Sequence, residues 1–278
     1  MQSAPVHEGP VLVRAANLTR RYDTFTAVDH VSFEVRAGEL FGFLGPNGAG
    51  KTTTLHMLTG LLTPSEGEAF VAGHSLALEP QAARAALGFV PDTPFLYDKL
   101  SAREFLALAA ALYDVPGDVA ARRADALLRL LDLTSAADGL IENYSHGMRQ
   151  KTALAGALIH DPKVLFLDEP TIGLDPRSAR TIKDLLRGRC DRGRAVFLST
   201  HVLEIAERLC DRVGILDRGR LLVVGTIAEL KDPSRGTASL EETFLRLTGG
   251  DADPDLFAYL DALAGDDGGD STPGNGSG

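Results

Sequence analysis

The feature that most constrains this chain is a glycine-rich turn between an apolar segment and a helical pattern. Residues 45–52 read Gly-Pro-Asn-Gly-Ala-Gly-Lys-Thr, which fits the P-loop pattern of glycine, four residues and then Gly-Lys-Thr. The apolar run Leu40–Leu44 precedes the turn, and leucines follow it at helical spacing. This context predicts a buried strand, a phosphate-binding turn and a helix over Thr52–Leu62.

The residue types of this turn suit the binding of a nucleotide phosphate. Glycines let the backbone curl so that successive N–H groups point at a phosphate, and a helix beginning at Lys51 adds the positive end of its dipole. We expect Lys51 to bridge the β- and γ-phosphates and the Thr52 hydroxyl to ligate Mg²⁺. The other candidates for nucleotide binding in this segment are Asn47, Gly48, Ala49, Gly50 and Thr53.

The patterns divide the chain into segments of different character. The apolar run Val11–Val13 and the alternation of apolar with polar residues in Ala27–Val35 predict β structure near the start of the chain. An alanine- and leucine-rich stretch predicts an all-helical insert at about 93–162, after which strands and helices alternate again, as in a parallel sheet. We therefore predict an α/β fold: a P-loop NTPase core with a mostly parallel sheet, an N-terminal antiparallel β subdomain and the all-helical insert.

The two ends of the chain carry separate predictions. We expect a short tail at 1–10 and a C-terminal helical extension at 233–264. In the extension, Ser239 opens a capping box and Asp253 begins a second short helix at its Asp-Pro pair. Residues 265–278 are rich in Gly, Asp and Ser and are predicted to be disordered.

Composition limits the class of protein. Hydrophobic residues make up 44% and charged residues 24% of the 278 residues, which suits a globular chain with a sizeable core. The longest unbroken apolar run, Phe105–Tyr113, is shorter than the roughly 18 to 20 residues that a membrane helix needs. No signal peptide is visible at the N-terminus. We therefore expect a cytosolic chain that does not span a bilayer by itself.

The charge distribution argues against a nucleic-acid partner. The net charge is −10, but seven acids and no Lys or Arg lie in 251–278, so the rest of the chain is close to neutral. Proteins that bind nucleic acid usually carry clustered positive charge. We therefore expect no nucleic acid among the partners.

A second apolar strand ends in two adjacent acids. Val164–Leu167 is followed by Asp168 and Glu169. At a strand end beside the P-loop, Asp168 can hold Mg²⁺ through its waters and Glu169 can polarise an attacking water. Such acids also suit a solvated strand end, and the neighbouring motifs decide between the two interpretations.

The order of the motifs resembles that of the ATP-binding-cassette (ABC) family. Tyr-Ser-His-Gly-Met-Arg-Gln at 144–150 precedes the acid pair, Gly-Leu-Asp at 173–175 follows it, and Ser-Thr-His at 199–201 ends the next strand. With the P-loop, these match the family's signature motif, Walker B strand, D-loop and H-loop over 11–232. The resemblance implies an ABC ATPase domain that binds ATP and Mg²⁺ and hydrolyses ATP between two head-to-tail copies.

The family's functional residues carry over to the positions that match its motifs. Tyr22, which we place ahead of the first β hairpin, stands where the family has an aromatic that stacks on adenine, and His201 would contact the γ-phosphate. Ser145 and Gly147 would face the γ-phosphate held by the other subunit, and Asp175 would lie across the subunit boundary. The implied catalytic residues are Glu169, His201 and Lys51, and the implied metal contacts are Thr52, Asp92 and Asp168.

Two positions depart from the family's usual sequence. Asp92 follows residues 88–91 where the family usually has Gln, and a carboxylate accepts a metal or water contact but does not donate an amide hydrogen bond. His146 replaces the first glycine of the usual Leu-Ser-Gly-Gly-Gln, while Ser145 and Gly147 are retained. The Tyr-Ser-x-Gly-Met variant resembles the ATPase subunits of two-component exporters of the ABC-2 kind.

The chain contains one set of these motifs and no predicted membrane span, so the resemblance implies that it works with partners. The resemblance implies a transmembrane permease subunit and a second copy of the chain or a homologous ATPase subunit, at the cytoplasmic face of the cell membrane. In the family, the helical insert and the loop at Asp92 grip a cytoplasmic helix of the permease. The leading hypothesis is the subunit that powers a transporter, with export favoured.

Two alternatives to this hypothesis stay open at this point. One is a soluble ABC-type ATPase that acts on nucleic acid or ribosomes. Such proteins usually have two cassettes, coiled-coil arms or zinc cysteines, and the chain has none of these. The other is a nucleotide sensor without turnover, which the intact Glu169 and His201 disfavour.

Overall fold

The structure is a computed structural model that describes residues 9–170, 175–231 and 239–249. The strands are β1 (Val11–Tyr22), β2 (Phe25–Arg36), β3 (Leu40–Leu44), β4 (Glu66–Val71), β5 (His74–Ser75), β6 (Leu87–Val90), β7 (Val164–Asp168), β8 (Ala195–Thr200), β9 (Arg212–Asp217) and β10 (Arg220–Thr226). The helices are α1 (Lys51–Leu58), α2 (Pro80–Ala85), α3 (Ala102–Leu112), α4 (Gly117–Leu130), α5 (His146–Leu158), α6 (Pro176–Cys190), α7 (Leu203–Leu209), α8 (Ile227–Leu230) and α9 (Leu240–Thr248).

Within the described residues, the strands form two sheets. The larger sheet has the order β10-β9-β3-β8-β7-β6. Its strands run parallel except β10, which returns antiparallel beside β9. The smaller, antiparallel sheet has the order β2-β1-β4-β5. The predicted α/β fold, with a mostly parallel sheet and an N-terminal antiparallel β subdomain, is confirmed.

The register of the larger sheet brings three strand ends to one edge. Leu44, the last residue of β3, pairs with Thr200 of β8, and Asp168, the last residue of β7, pairs with Ser199. Parallel strands end at the same edge of a sheet, and ligands bind there in open α/β folds. The turn after β3, the acids at the end of β7 and the histidine after β8 therefore meet.

Two hydrophobic cores flank the larger sheet. The first joins it to the smaller sheet and α1, and at its centre the rings of Phe33, Phe41 and Phe197 stack with centroids 5.4 to 5.8 Å apart. The second joins the sheet to α5, α6 and the helical insert. Since both faces are covered, every residue of β3, β7 and β8 is buried. The two cores hold the strand ends of the site rigidly in place.

Helices α3, α4 and α5 form the predicted insert between β6 and β7. Ser101 opens α3 with the predicted capping box to Glu104. Gly156 of α5 lies against the ring of Phe105 of α3, and a Cβ at this glycine would come within 2.6 Å of the ring. This close packing fixes α5, and with it the capping residue Ser145, against the rest of the insert.

Helix α1 ends earlier than predicted. The leucine spacing predicts a helix over Thr52–Leu62, but the helix is Lys51–Leu58. The hydroxyl of Thr59 turns back to donate to the carbonyl oxygen of Leu55 at 2.9 Å. Gly60 then takes a φ of 72°, a left-handed conformation that glycine adopts without steric cost. The last leucine of the pattern therefore lies in the turn that follows.

Several elements have no counterpart in the sequence predictions, among them β4, β6, β10 and α2. The first half of β4 reads Glu66-Gly67-Glu68, which is polar and largely exposed. Such a segment has the pattern of a loop, and it becomes a strand because β1 supplies its hydrogen-bonding partner. Whether such a segment forms a strand depends on pairing with a segment that is distant in the sequence.

Helix α9 closes the described part of the fold. It begins after Ser239, whose hydroxyl accepts from the backbone N–H of the third helical residue at 3.1 Å. Leu240 is fully buried, and the Thr243 hydroxyl donates to the carbonyl oxygen of Leu230 at 2.6 Å. The first predicted helix of the C-terminal extension is therefore packed against the rest of the fold, beside α7 and α8.

Some predictions lie outside the described residues. These are most of the tail at 1–10, two residues of the Gly-Leu-Asp motif, the second C-terminal helix that begins at Asp253, and the tail at 265–278. Among the helices that the structure does describe, none combines the length and the apolar character needed to cross a membrane.

Candidate active site

Lys51 folds back over the P-loop. Its Nζ donates to the carbonyl oxygen of Gly45 at 2.7 Å and to that of Pro46 at 3.0 Å. Burial lowers the pKa of Lys51, and the negative charges of Glu169 and Asp168 oppose this shift. Both acids therefore lie close enough to act on the lysine's charge.

The backbone of the P-loop requires glycine at two positions. Gly48 has a φ of 79° and Gly50 a φ of 104°, both in the left-handed region. Gly50 is the N-cap of α1, and a Cβ there would lie 2.5 Å from the carbonyl oxygen of Ala27. No side chain caps the first turn of this helix. Its N–H groups and its positive dipole end are therefore available to an anion.

Three oxygen-bearing side chains form one corner of the cleft. The Thr52 hydroxyl donates to a carboxylate oxygen of Asp168 at 3.1 Å, and Asp92 lines the same cleft. Burial raises the pKa of Asp168. The hydroxyls of Ser199 and Thr52 oppose the rise, and the charges of Glu169 and Asp92 add to it. This corner of the cleft therefore holds a buried carboxylate beside two further negative charges, an arrangement that favours the binding of a cation.

The chemistry of this corner fits Mg²⁺. Hydroxyl and carboxylate oxygens are the hard ligands that this ion prefers. In the described residues, no group of three or more His, Cys, Asp or Glu side chains is arranged to hold a metal by itself. A site with few protein ligands suits Mg²⁺, because the ion keeps several waters and binds substrate phosphates.

Glu169 is held by the residues that end β8. Its Oε2 accepts from the Thr200 hydroxyl at 2.8 Å, and its Oε1 accepts from the backbone N–H of His201 at 2.9 Å. The ring Nδ1 of His201 lies 2.5 Å from the same Oε1. Glu169 has a φ of 47°, which is strained for a residue with a side chain, and its N–H donates to the Ser199 carbonyl. These bonds maintain the strained conformation and fix the carboxylate in the cleft.

The cleft has a volume of about 410 Å³ and brings most of the candidate residues together. It is lined by Phe25, Ala27, Asn47, Gly48, Gly50, Lys51, Thr52, Thr53, Asp92, Asp168, Glu169 and His201. Ala49 belongs to the same loop but is buried beneath it. The site of this chain is therefore built from the P-loop, the ends of β7 and β8, the second residue after β6 and the start of β2.

Three candidates lie on other helix ends, and none of them lines this cleft. The Ser145 hydroxyl caps α5, and Gly147 follows in its first turn. Asp175 caps α6 by accepting from the backbone N–H of Ser178 at 2.9 Å. The family resemblance assigns all three to a nucleotide shared with a second subunit, and these roles stay predictions.

The position expected for Tyr22 is wrong. Tyr22 does not precede the first hairpin but is the last residue of β1, where it pairs with Phe25, the first residue of β2. The polar second half of β1 hides the strand in the sequence, and pairing with β2 extends it to this point. The ring of Phe25 lines the cleft, while Tyr22 stacks on that ring with centroids 5.9 Å apart.

Sequence reasoning assigned no functional role to Phe25 or to Thr200. The available signal for Phe25 is an aromatic residue placed opposite Tyr22 across a two-residue turn. Thr200 directly precedes His201 at the end of a buried strand, where its hydroxyl reaches the neighbouring strand end. Both contacts depend on strand pairing.

Comparison with known proteins identifies the family. Residues 28–172, more than half of the chain, match the ABC transporter family. The chain belongs to this family. The matched region contains the P-loop and the acids at the end of β7. ABC cassettes bind and hydrolyse ATP, and the chain is therefore an ATPase subunit of a transporter.

Individual relatives support the assignment. The linearmycin resistance ATP-binding protein of Bacillus subtilis is 37% identical over 219 residues, which cover 79% of this chain and 70% of that protein. The daunorubicin resistance ATP-binding protein of Streptomyces coeruleorubidus is 40% identical over 217 residues, or 78% of this chain and 69% of that protein.

Solved ABC structures have the same fold. The ATP-binding subunit of an ABC transporter superimposes with a TM-score of 0.81 at 34% identity, covering 85% of this chain and 99% of the solved one. A cassette solved as a post-hydrolysis dimer with ADP and Pi gives a TM-score of 0.72 at 26% identity, covering 77% of this chain and 98% of that one.

Proposed function

We propose that this ABC subunit powers an exporter. It works as a pair with a second copy of itself or a homologous ATPase subunit, bound to a transmembrane permease at the cytoplasmic face of the membrane. The observation that carries the proposal is the cleft in which the P-loop, Asp168, Glu169 and His201 meet. Export is supported by relatives named for linearmycin resistance, daunorubicin resistance and Nod factor export.

Phosphate binding is the task of Lys51 and the start of α1. The ammonium group exchanges its contacts with the Gly45 and Pro46 carbonyls for β- and γ-phosphate oxygens. The N–H groups of the P-loop surround the same phosphates. Positive charge at this point neutralises the charge on the transferred phosphoryl group in the transition state.

Thr52 and Asp168 are the residues that hold Mg²⁺, with Asp92 supplying a further carboxylate at the edge of the cleft. The ion, when bound with ATP, supplies charge neutralisation for the phosphate oxygens. The buried carboxylate of Asp168 is ready for this role because a cation offsets the cost of its burial.

Glu169 is the general base for the attacking water. Thr200 and His201 hold both of its carboxylate oxygens, so the side chain is already oriented before water arrives. The water oxygen attacks the γ-phosphorus in line, the bond to the β-phosphate oxygen breaks, and the water proton passes to Glu169. The Nδ1 of His201 faces Glu169, which leaves Nε2 for the γ-phosphate.

Pairing of two subunits completes each site. Ser145 begins α5, whose N-terminal N–H groups and dipole form an anion site for the γ-phosphate held by the other subunit's P-loop. Gly147 leaves room for that approach, and Asp175 lies at the boundary between subunits. The solved dimer of a relative with ADP and Pi supports this arrangement.

An apolar groove supports a permease as partner. It has a volume of about 650 Å³ and lies between the residues after β6 and helix α3. Phe95, Tyr97 and Leu112 line it and are 92%, 63% and 73% exposed. Exposed apolar side chains in a groove fit an amphipathic helix of a protein partner.

The groove and the cleft share one segment. Pro91 and Pro94 line the groove, while Asp92 between them lines the nucleotide cleft. A permease helix seated in the groove therefore contacts the segment that carries Asp92. This connection is a direct route by which the state of the nucleotide reaches the permease.

Reconstitution of the chain with a candidate permease, such as a membrane protein whose gene adjoins its own, tests the proposal. We expect Mg²⁺-dependent phosphate release that the permease stimulates, and ATP-dependent efflux that stops when Glu169 is replaced by Gln. Stimulation by RNA or ribosomes without a response to the permease would contradict the proposal and favour the soluble alternative. So would a parental complex that releases no phosphate.

A further inference from the structure

Helix α6 carries a positively charged face. Its sequence, Pro-Arg-Ser-Ala-Arg-Thr-Ile-Lys-Asp-Leu-Leu-Arg-Gly-Arg-Cys, contains five basic residues and one acid, Asp184. The apolar side of the helix is buried against the larger sheet. Arg177, Arg180 and Lys183 follow one another at intervals of three residues, a spacing that places them side by side on a helix. We call these three residues the basic face of α6.

Most of the charge on the basic face is free of local partners. Within the part of the chain that the structure describes, neither Arg177 nor Lys183 forms an ion pair. Arg180 lies 4.0 Å from Asp184 one turn along the helix, and the two side chains are 85% and 78% exposed. Such an exposed pair adds little stability and is easily exchanged for another partner. The basic face is therefore available to an external anionic group.

A cleft of about 180 Å³ continues the basic face at the start of α6. Three cationic side chains line it: Arg129 of α4, Lys151 of α5 and Arg177 of α6. The acids on its wall are Asp132 and Asp175, and Asp175 is already engaged as the cap of α6. Cationic side chains that converge on one cleft suit a carboxylate, because hydrogen bonds between charged groups are the stronger ones.

The opposite charge lies at the end of the same chain. Residues 251–278, which are outside the described residues, contain seven Asp and no Lys or Arg. Helix α9 ends at Thr248 and packs beside α7. Helix α7 neighbours α6, because Arg187 of α6 donates to the carbonyl oxygen of Leu209, the last residue of α7, at 2.8 Å. Packed helices lie about 8 to 10 Å apart, so roughly six extended residues span the distance of about 20 Å from α9 to α6.

We propose that the basic face of α6 and the cleft at its start bind the acidic segment 251–278 of the same chain. A tethered segment meets its binding surface at an effective concentration on the order of millimolar, so weak ion pairs are enough to hold it. An aspartate in the cleft contacts Arg129 and Lys151 of the helical insert and Arg177 of α6. The bound segment thereby ties the insert to the core. This role goes beyond the proposed function and does not depend on ATP turnover.

Zero-length cross-linking of the full chain tests the contact. A carbodiimide joins a carboxylate to an amine only where the two touch, and it takes up the water released as the amide forms. Arg246 is the last Lys or Arg of the chain, so trypsin releases residues 247–278 as one peptide. We expect this peptide to be joined to Lys183 or Lys151 within a single chain, and not to the exposed Lys163. The yield should fall in about 0.5 M NaCl, because salt screens exposed charges.

Charge reversal on the basic face gives the matched comparison. Arg177→Glu combined with Arg180→Glu leaves the reactive amine of Lys183 in place. The yield at Lys183 should fall about fivefold or more, because both cations that attract the segment become anions. Arg218→Glu is the control, since Arg218 is 90% exposed at the turn between β9 and β10. It should leave the yield at the parental level. Thermal unfolding checks that both variants fold like the parental chain.

Three outcomes would overturn the proposal. One is the absence of any link to Lys183 or Lys151 at low salt, or a yield that the double reversal leaves unchanged. Another is a link that joins isotope-labelled to unlabelled chains in a mixture, which would show that the segment binds a second copy. The third is binding to vesicles that contain phosphatidylglycerol, lost in the double reversal and without any link to the segment. The basic face would then bind a membrane surface instead.

Discussion

The Nδ1 atom of His201 lies 2.5 Å from Oε1 of Glu169, and the backbone N–H of the same histidine donates to that oxygen. The contact links the end of β7 to the residue after β8, two strands that pair in parallel. With Thr200 on the other oxygen, it leaves Glu169 little freedom to rotate. The base is thus oriented by the sheet before nucleotide binds.

Thr200 gives the first test of this orientation. Thr200→Val removes the hydroxyl that donates to Glu169, and we expect kcat to fall about tenfold because a hydrogen bond to a charged group is lost. KM for ATP should change little, since Thr200 does not line the cleft. Thr200→Ser restores the hydroxyl and should restore most of kcat. A rise in KM without a fall in kcat in steady-state phosphate release would contradict a positioning role.

Lys51 gives a test of the phosphate-binding loop. Lys51→Ala removes the cation that the loop carbonyls hold in place, and we expect ATP affinity to fall by at least tenfold. The matched control is Lys163→Ala, which removes an exposed lysine directly before β7 and outside the P-loop. Calorimetric titration checks both variants. Equal affinity of Lys51→Ala and the control would refute the assignment.

Features that depend on residues close together in the sequence could be predicted, whereas features that depend on contacts between distant segments could not. The P-loop, the acids at the end of β7 and the capping box at Ser101 depend on neighbours within a few residues, and these local patterns identify them. The parallel sheet follows from the alternation of strands and helices. The structure adds the register of that sheet, which brings Lys51, Asp168 and His201 into one cleft.

Other features depend on contacts between distant segments, which a local pattern does not contain. Phe25 enters the cleft because a bulge at Ala27 and the approach of Gly50 set the direction of the hairpin tip. Thr200 reaches Glu169 only because β7 and β8 are neighbours. The early end of α1 depends on a side chain, Thr59, that competes for backbone bonds.

The buried carboxylate of Asp168 serves metal binding but lowers the stability of the fold when no metal is bound. Burial raises the pKa of this carboxyl, so the folded chain binds its proton more readily than the unfolded chain does. The stability from this group is therefore present at low pH and is lost as the pH rises through the folded-state pKa. At pH values above that pKa, and without metal or nucleotide, the ionised carboxylate destabilises the fold.

Asp168→Asn should therefore raise the Tm of the chain at neutral pH while it abolishes Mg²⁺-dependent nucleotide binding. The gain in Tm should shrink as the pH is lowered, because the parental carboxyl then becomes protonated. Thermal unfolding of both chains across a pH series, with a metal chelator present, makes the comparison. A gain that stays constant with pH, or a Tm below that of the parental chain at neutral pH, would argue against this account.

Phe95 tests the groove as the permease contact. Phe95→Asp places a charge on a side chain that is 92% exposed, so the Tm should not change. Binding to the permease should weaken at least tenfold, because burying an unpaired charge in an apolar interface costs desolvation free energy. Leu78→Asp is the matched control, since Leu78 is 82% exposed and does not line the groove. Co-purification of both variants with the permease at the parental level would exclude the groove as the contact.

The most direct test of the account is the state of association of Glu169→Gln in the presence of ATP and Mg²⁺. Without the general base, ATP stays uncleaved and continues to hold two cassettes together. Light scattering should show an ATP-dependent pair that ADP does not produce and that the additional substitution Lys51→Ala prevents. In the complex with the permease, the same variant should retain ATP without phosphate release. A Glu169→Gln chain that hydrolyses ATP at the parental rate, or that stays monomeric with ATP and Mg²⁺ even when the permease is supplied, would contradict the account.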